Sequence, residues 1–395
     1  MTGIFDRAPD RRDPNLRNKW TTYADDVLPM WVADMDFRAP PPVLAALRKA
    51  VGQGVLGYEL PSRALLESVA GRMDRLYGWK VDPEAVVPVT GIVSGFNAAA
   101  RAFCTRGRGY LIQPPVYNEF FAVGSNLGLR QYEAPLRQSA EGNLLRYEVD
   151  WEAFEKQVRK AGMFLLCNPH NPVGVVFSRR DLRRMAELCL ENEAVIVSDE
   201  IHSELLMGET RFSPVAKLSA EIARRTVTLV SPSKTFNIPG LMCGFAIIPD
   251  AELRRRYAEV VDHLRLHVSS LGLIAARAAF SGECEDWLRE LRVYLTANRD
   301  YLVDYITEYL PDIRVTRPAA TYLAWLDCSA LVRQGRISGS PFEYFLNEAR
   351  VAFGDGKIYG KSGADFVRLN YGCTRRTLKQ GLDRMRDTLY RRKHG

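Results

Sequence analysis

The chain reads as an α/β protein in which a largely parallel sheet, covered by helices on both faces, is joined to a second, smaller domain. Three observations predict this. At 395 residues with 47% apolar content, the chain is long enough for two cores of ordinary size. Between about residue 43 and residue 285, short β-rich runs alternate with helical stretches, which is the pattern of a parallel sheet with crossover helices. Beyond residue 285 that alternation is lost, and a long amphipathic stretch is followed by isolated strand signals.

The elements follow in order. Gly109 to Gln113, Met163 to Cys167, Ala194 to Ser198, Thr226 to Val230 and Phe245 to Ile248 are the central strands, and helical stretches such as Phe96 to Phe103 and Arg179 to Glu191 separate them. Glu285 to Tyr309 reads as one long helix, with strands at Tyr322 to Asp327 and Phe366 to Leu369. The expected division is residues 1–45 as a segment packing with the small domain, 46–284 as the large domain and 285–395 as the small one. No internal repeat or low-complexity linker interrupts it.

Composition excludes several classes. The longest apolar runs are strand-length, far short of the roughly 20 residues of a membrane-spanning helix. Met1 to Lys19 is rich in Arg, Asp and Pro and lacks the apolar stretch of a secretory signal, so a cytoplasmic protein is expected. The seven cysteines are scattered, with no short paired spacing for zinc or redox exchange; Cys243 and Cys373 read as packing residues. The net charge of +7 is spread thinly, with local concentrations at Arg254 to Arg256 and Arg391 to Lys393, and reads as solvated helix faces rather than a nucleic-acid surface. His263 and His267 are four apart without a third ligand, and read as a solvent-facing pair rather than a metal site.

Three central strands run into polar clusters, and open α/β sheets bind ligands beyond the carboxyl ends of their strands. Met163 to Cys167 leads into Asn168, Pro169, His170, Asn171, Pro172, Val173 and Gly174; Ala194 to Ser198 into Asp199, Glu200, Ile201 and His202; Thr226 to Val230 into Ser231, Pro232, Ser233 and Lys234. Singly, these are also a turn, a helix cap and a surface lysine. Their order and spacing together resemble the signature of fold-type I pyridoxal 5′-phosphate (PLP) enzymes of the class I and II aminotransferase superfamily, and the resemblance spans nearly the whole chain. It implies a large domain with a mostly parallel seven-stranded sheet, and a smaller α/β domain.

The resemblance assigns roles that the chemistry requires. Lys234 joins the PLP aldehyde, which needs an amine kept nucleophilic by a lowered pKa. Asp199 keeps the ring nitrogen protonated, Asn171 donates to the ring phenolate, and Tyr117 lies over the ring face. Lys234, Asp199 and Tyr117 are the catalytic candidates. Gly91, Ile92 and Val93, ahead of a helix, offer backbone amides to the phosphate, joined by Ser231 and Ser233. Tyr58 stands where a neighbouring subunit's tyrosine completes that cup in the family, implying a homodimer with shared sites; otherwise it is a buried core tyrosine. Arg368 matches the arginine that clamps the substrate carboxylate, with Ala33 and Asn171 beside the substrate.

Trp31, Val32, Ala33, Asp34, Met35, Asp36 and Phe37 resemble the opening segment of the PatB and MalY type of carbon-sulfur lyases. His202, where aminotransferases commonly have tyrosine, points the same way, though a hydrogen-bonded core histidine is its plain alternative. The implied reaction is β-elimination from an S-substituted cysteine, giving a thiol, pyruvate and ammonia, with the Lys234 amine removing the α-proton. Transamination of an amino acid uses the same residues and remains the alternative. A PLP-retaining binding protein without turnover is a third reading. It is motivated by Gly240, Leu241 and Met242, where many members place a basic residue on the phosphate. Leu56, Asn118 and Gly372 also depart from the lyase pattern.

Overall fold

The structure, a computed structural model, describes residues 3–13, 15–105 and 107–390; the basic run Arg391 to Lys393 lies outside them. Fourteen strands follow in chain order: β1 (Leu28–Met30), β2 (Val86–Val89), β3 (Tyr110–Ile112), β4 (Gln131–Glu133), β5 (Arg137–Glu141), β6 (Leu144–Glu148), β7 (Met163–Cys167), β8 (Val195–Asp199), β9 (Thr226–Val230), β10 (Gly244–Ile247), β11 (Arg314–Thr316), β12 (Leu323–Asp327), β13 (Val351–Asp355) and β14 (Phe366–Asn370). They form two seven-stranded sheets.

The central sheet has the order β2-β10-β9-β8-β7-β3-β4. Its only antiparallel pairings among the described residues are those of β10 with β2 and β9, so β10 alone runs against the other six strands. Strands β7, β8 and β9 are buried along their whole length, because helices cover both faces and no position faces water. Arg179–Glu191 shows how a covering helix is specified. Ser178 accepts from the Asp181 N–H as its N-cap, and Leu182, Met185, Ala186 and Cys189 form the buried stripe at helical spacing. The carboxyl ends of β7, β8, β9 and β2 share one edge of this sheet, which aims the loops at 168–174, 199–202 and 231–234 and the N-terminus of helix Ile92–Phe103 toward a common point.

The second sheet has the order β1-β13-β14-β12-β11-β6-β5. Strand β1 pairs in parallel with β13, and β6 pairs in parallel with β11. That second pairing carries residues 137–148 into this sheet, although they fall within the stretch 46–284. The two sheets share a core: Trp325, Tyr359 and Phe366 pack in one cluster with Leu111, Phe164 and Leu166, and Trp325 stacks on Phe366 at 5.0 Å.

The histidine pair resolves simply. Helix Ala251–His263 ends at His263, His267 lies beyond it, and both are exposed. Among the described residues no group of His, Cys, Asp and Glu could hold a metal ion, and no helix is long and apolar enough to cross a membrane. All seven cysteines are free, and all but Cys104 are buried.

Candidate active site

A cleft of about 540 Å³ opens where the polar loops of the central sheet meet the second sheet and the segment Trp31 to Ala33. This size suits a cofactor with a small substrate.

At one end stands the N-terminus of helix Ile92–Phe103. Its N-cap, Gly91, has φ 140 and supplies no side-chain cap, a backbone shape that glycine alone adopts freely. Ile92 and Val93, in the first turn, line the cleft, and first-turn N–H groups have no partner within their own helix. Opposite them, the Ser231 hydroxyl donates to the Cys243 carbonyl at 2.6 Å and lies 2.8 Å from the Ser233 hydroxyl. Met242, held at φ 47, is an exposed apolar side chain on the same wall.

In the middle, Lys234 donates from Nζ to the Ala33 carbonyl at 2.6 Å. Burial lowers its pKa to about 8, assisted by the Arg368 charge and opposed by Asp34 and Asp199, because a charged amine loses its hydration in such a site. Asp199, the last residue of β8, is buried and accepts from the Ile201 N–H at 3.1 Å. Burial raises its pKa to about 7, against that hydrogen bond and the Lys234 charge. A carboxylate so placed is fully ionised only with a further cation beside it. His202 is buried, and burial together with the Lys234 and Arg368 charges lowers its pKa to about 3, so the ring is neutral. Its Nδ1 has no partner.

Arg368, in the middle of β14, donates from one terminal nitrogen to Asn171 Oδ1 at 3.1 Å and from the other to the Trp31 carbonyl at 2.7 Å. Its Nε is buried without a partner, and the guanidinium carbon lies 5.1 Å from the Tyr359 ring centre. Buried donors left unsatisfied in a cleft signal an acceptor that the chain itself does not provide. His170 fixes the loop that presents Asn171: its ring lies between the carbonyls of Cys167 at 3.1 Å and Pro115 at 2.9 Å.

The segment Trp31 to Phe37 forms a strap over this arrangement, and the sequence reading understated what holds it. Buried Lys19 pairs with Asp34 at 3.1 Å and Asp36 at 2.9 Å, and Arg11 pairs with Asp34 at 2.8 Å. Burial opposes the Asp34 charge, yet Lys19 and Arg11 hold its carboxyl below its ordinary range. Asn237 accepts from the Met35 N–H and donates to the Met35 and Phe37 carbonyls. Asn370 donates to the carbonyls of Val32 and Asp34. Tyr322 donates to the Ala33 carbonyl at 2.8 Å, the same oxygen that accepts from Lys234. Asn370 carried a legible signal, since it lies two residues after Arg368 on one strand and therefore faces the same side. Tyr322 and Lys19 carried none, because their partners are remote in sequence.

The cleft thus gathers Ala33, Gly91, Ile92, Val93, Tyr117, Asn171, Asp199, His202, Ser231, Ser233, Lys234 and Arg368. It does not gather Tyr58, which is fully exposed and so is no core tyrosine.

A model of the family described as aminotransferase class I and II matches residues 26–385. The chain belongs to that family. Cystathionine beta-lyase PatB of Bacillus subtilis (strain 168) is 37% identical over 391 residues, covering 96% of this chain and 99% of PatB. The crystal structure of OvoB superposes with a TM-score of 0.91 at 35% identity, covering 98% of this chain and 99% of that one. The PLP-bound C-S lyase of Staphylococcus hominis gives a TM-score of 0.90 at 29% identity over 99% of both chains. The chain shares its fold with these two solved structures, a seven-stranded, mostly parallel sheet joined in this chain to a second seven-stranded sheet.

The donor set fits PLP on its chemistry. Free helix N–H groups and two serine hydroxyls suit a phosphate, a weakened amine suits an aldehyde, and a buried carboxylate that lacks a full counter-charge suits a protonated ring nitrogen.

Proposed function

We propose that the chain is a PLP-dependent carbon-sulfur β-lyase that converts an S-substituted cysteine and water to a thiol, pyruvate and ammonia. One observation carries the reading: a half-buried amine with lowered pKa and a two-pronged cation, Lys234 and Arg368, open into one cleft of a chain that is 37% identical over nearly its full length to a cystathionine β-lyase.

When bound, PLP supplies the aldehyde that Lys234 joins and the electron sink that makes the substrate α-proton acidic. The first-turn N–H groups of Ile92 and Val93 and the hydroxyls of Ser231 and Ser233 hold its phosphate, with no basic side chain at Met242 to help. Asp199 receives the ring N–H, and pairing with that cation restores the charge that burial otherwise weakens. Asn171 would offer its amide to the ring phenolate, with neutral His202 as a second polar partner, and Tyr117 would supply an aromatic face to the ring.

Arg368 exchanges its contacts with Asn171 and Trp31 for the substrate carboxylate. That fixes the α-carbon so that its C–H bond points along the direction in which breaking it is best stabilised. The Lys234 amine would take the α-proton at Nζ. The Ala33 carbonyl, oriented by Tyr322, holds that nitrogen within reach. The Cβ–S bond then breaks with its electron pair leaving on sulfur, which is protonated to the thiol; water releases ammonia and pyruvate.

The stretches 1–45 and 285–395 act as one domain against 46–284 in this reading. The protein works as a cytoplasmic homodimer in which Tyr58 enters the partner's cleft. Val51, Val55, Leu56 and Leu60 around it are exposed apolar side chains, a ribbon that a second copy would cover. Mixing Tyr58→Ala and Lys234→Ala proteins tests the sharing: mixed dimers regain one intact site if the tyrosine crosses over, and stay inactive if it does not.

The lyase assignment is tested by incubating the PLP-loaded protein with L-cystathionine and S-alkylcysteines without any keto acid. Thiol, pyruvate and ammonia are expected in equal amounts. Products that form only when a keto acid is added make the chain an aminotransferase.

A further inference from the structure

Two half-buried residues of the cleft lining, Glu119 and Asp355, give its more exposed part a negative charge. The basic side chains among the described lining residues are Lys234 and Arg368, and both are committed, one as the reacting amine and the other as the carboxylate clamp. His202 is neutral. Outside them the lining holds two further carboxylates, Glu119 and Asp355. Among the described residues their only polar contacts are a side-chain amide and a backbone N–H: Glu119 accepts from Asn118 Nδ2 at 3.0 Å and Asp355 from the Lys357 N–H at 3.1 Å, and neither has an ion-pair partner there. Aromatic rings share this rim. Tyr23 and Trp31 pack edge to face at 5.8 Å, and Phe342 lines the same opening.

Carboxylates and aromatic faces attract one class of ligand in common, organic cations. Both repel a second carboxylate. The buried, unpartnered Arg368 Nε independently marks this cleft as a site that awaits an anionic group at its inner end, which leaves the other end of the substrate to face the rim.

We propose that the rim selects S-substituted cysteines whose S-substituent carries a positive charge, with Glu119 and Asp355 as the specificity-determining carboxylates. The proposal rests on the lyase reading and names its substrate class. A distal carboxylate, as in an S-carboxyalkyl cysteine, meets two like charges and, among the described lining residues of this chain, no free cation. A neutral alkyl group gains only apolar contact. A distal ammonium gains two partly screened ion pairs and the ring faces, worth about tenfold in specificity over the neutral isostere when exposed pairs contribute up to about fivefold each.

The experiment compares three nearly isosteric substrates on the holoenzyme near neutral pH: S-(2-aminoethyl)-L-cysteine, S-ethyl-L-cysteine and S-carboxymethyl-L-cysteine, read by thiol release. Binding is read separately, from the change in cofactor absorbance on titrating the sulfur-free counterparts L-lysine, L-norleucine and L-2-aminoadipate, which have no thiolate to expel. The expected order of kcat/KM, and of affinity among the counterparts, is cationic above neutral by about tenfold and neutral above anionic. Glu119→Gln and Asp355→Asn keep shape and, for Asp355, the capping acceptor; each lowers the cationic-to-neutral ratio by about threefold.

Equal constants for the three charges, a preference for the anionic member, or ratios that neither variant moves overturn the proposal. Turnover of S-ethyl-L-cysteine alongside such a result leaves the lyase reading standing. No thiol from any of the three, with L-lysine still binding more tightly than L-norleucine, supports the charge preference and overturns the lyase reading instead.

Discussion

The floor of the cleft and the strap above it reach the same atoms by opposite means. The floor is built from chain that is local in sequence: the loops that end β7, β8 and β9 deliver Asn171, Asp199, His202, Ser231, Ser233 and Lys234 from one sheet edge. The strap is built from remote pairs. Lys19, Asn237, Tyr322 and Asn370 converge on residues 32–37 from four parts of the chain, and the strap's carbonyls hold Lys234 and Arg368 in place. Chemistry is supplied by the floor, and aim by the strap. Substitutions should therefore separate: floor changes abolish turnover in a folded protein, while strap changes act on stability and position together.

The largest effect is expected at the floor. Lys234→Ala removes both the covalent partner and the base, and should lower kcat by about 10⁴-fold or more with little change in thermal stability. Added methylamine restoring part of the rate would confirm the base role. Arg368→Ala comes next, with kcat/KM down by about 10²- to 10⁴-fold, since a hydrogen bond to a charged group contributes about 1.5–3 kcal/mol and two are lost. Arg368→Lys should recover little, because one ammonium cannot reproduce the fork.

The sharpest test of the strap is Lys19→Met. It leaves Asp34 and Asp36 without their buried cation and should destabilise the protein by about 3–5 kcal/mol, seen as a lower denaturant midpoint. The remaining folded fraction should show a raised KM, because Trp31 and Ala33 lose their anchor. Unchanged stability would mean that Arg11, Asn237, Tyr322 and Asn370 hold the strap without Lys19.

A smaller, pH-dependent effect concerns the floor again. Only the neutral Lys234 amine attacks an aldehyde, and its pKa lies at about 8 rather than in the ordinary lysine range. PLP capture by the apoprotein should therefore accelerate about tenfold per pH unit below pH 8 and level off above it. Continued acceleration past pH 10 would mean that burial does not weaken this amine.

The same contrast explains what could be read from the sequence. The five inner strands of the central sheet were legible because each is a short apolar run beside a covering helix, and the site clusters follow three of those runs directly. Strands β1, β2, β4, β5, β6, β11 and β13 were not. Arg137–Glu141 is exposed throughout, and β6 finds its partner β11 some 170 positions later, so neither apolar content nor periodicity marks it. Lys19 ends a stretch rich in Arg, Asp and Pro, and only the fold reveals it as a buried cation.

Reduction with borohydride after saturation with PLP, followed by peptide mapping, tests the central claim most directly. A pyridoxyl group should appear on Lys234 and be absent from the Lys234→Ala protein. A yellow, catalytically active protein carrying that group on another lysine, or on none, would contradict the account.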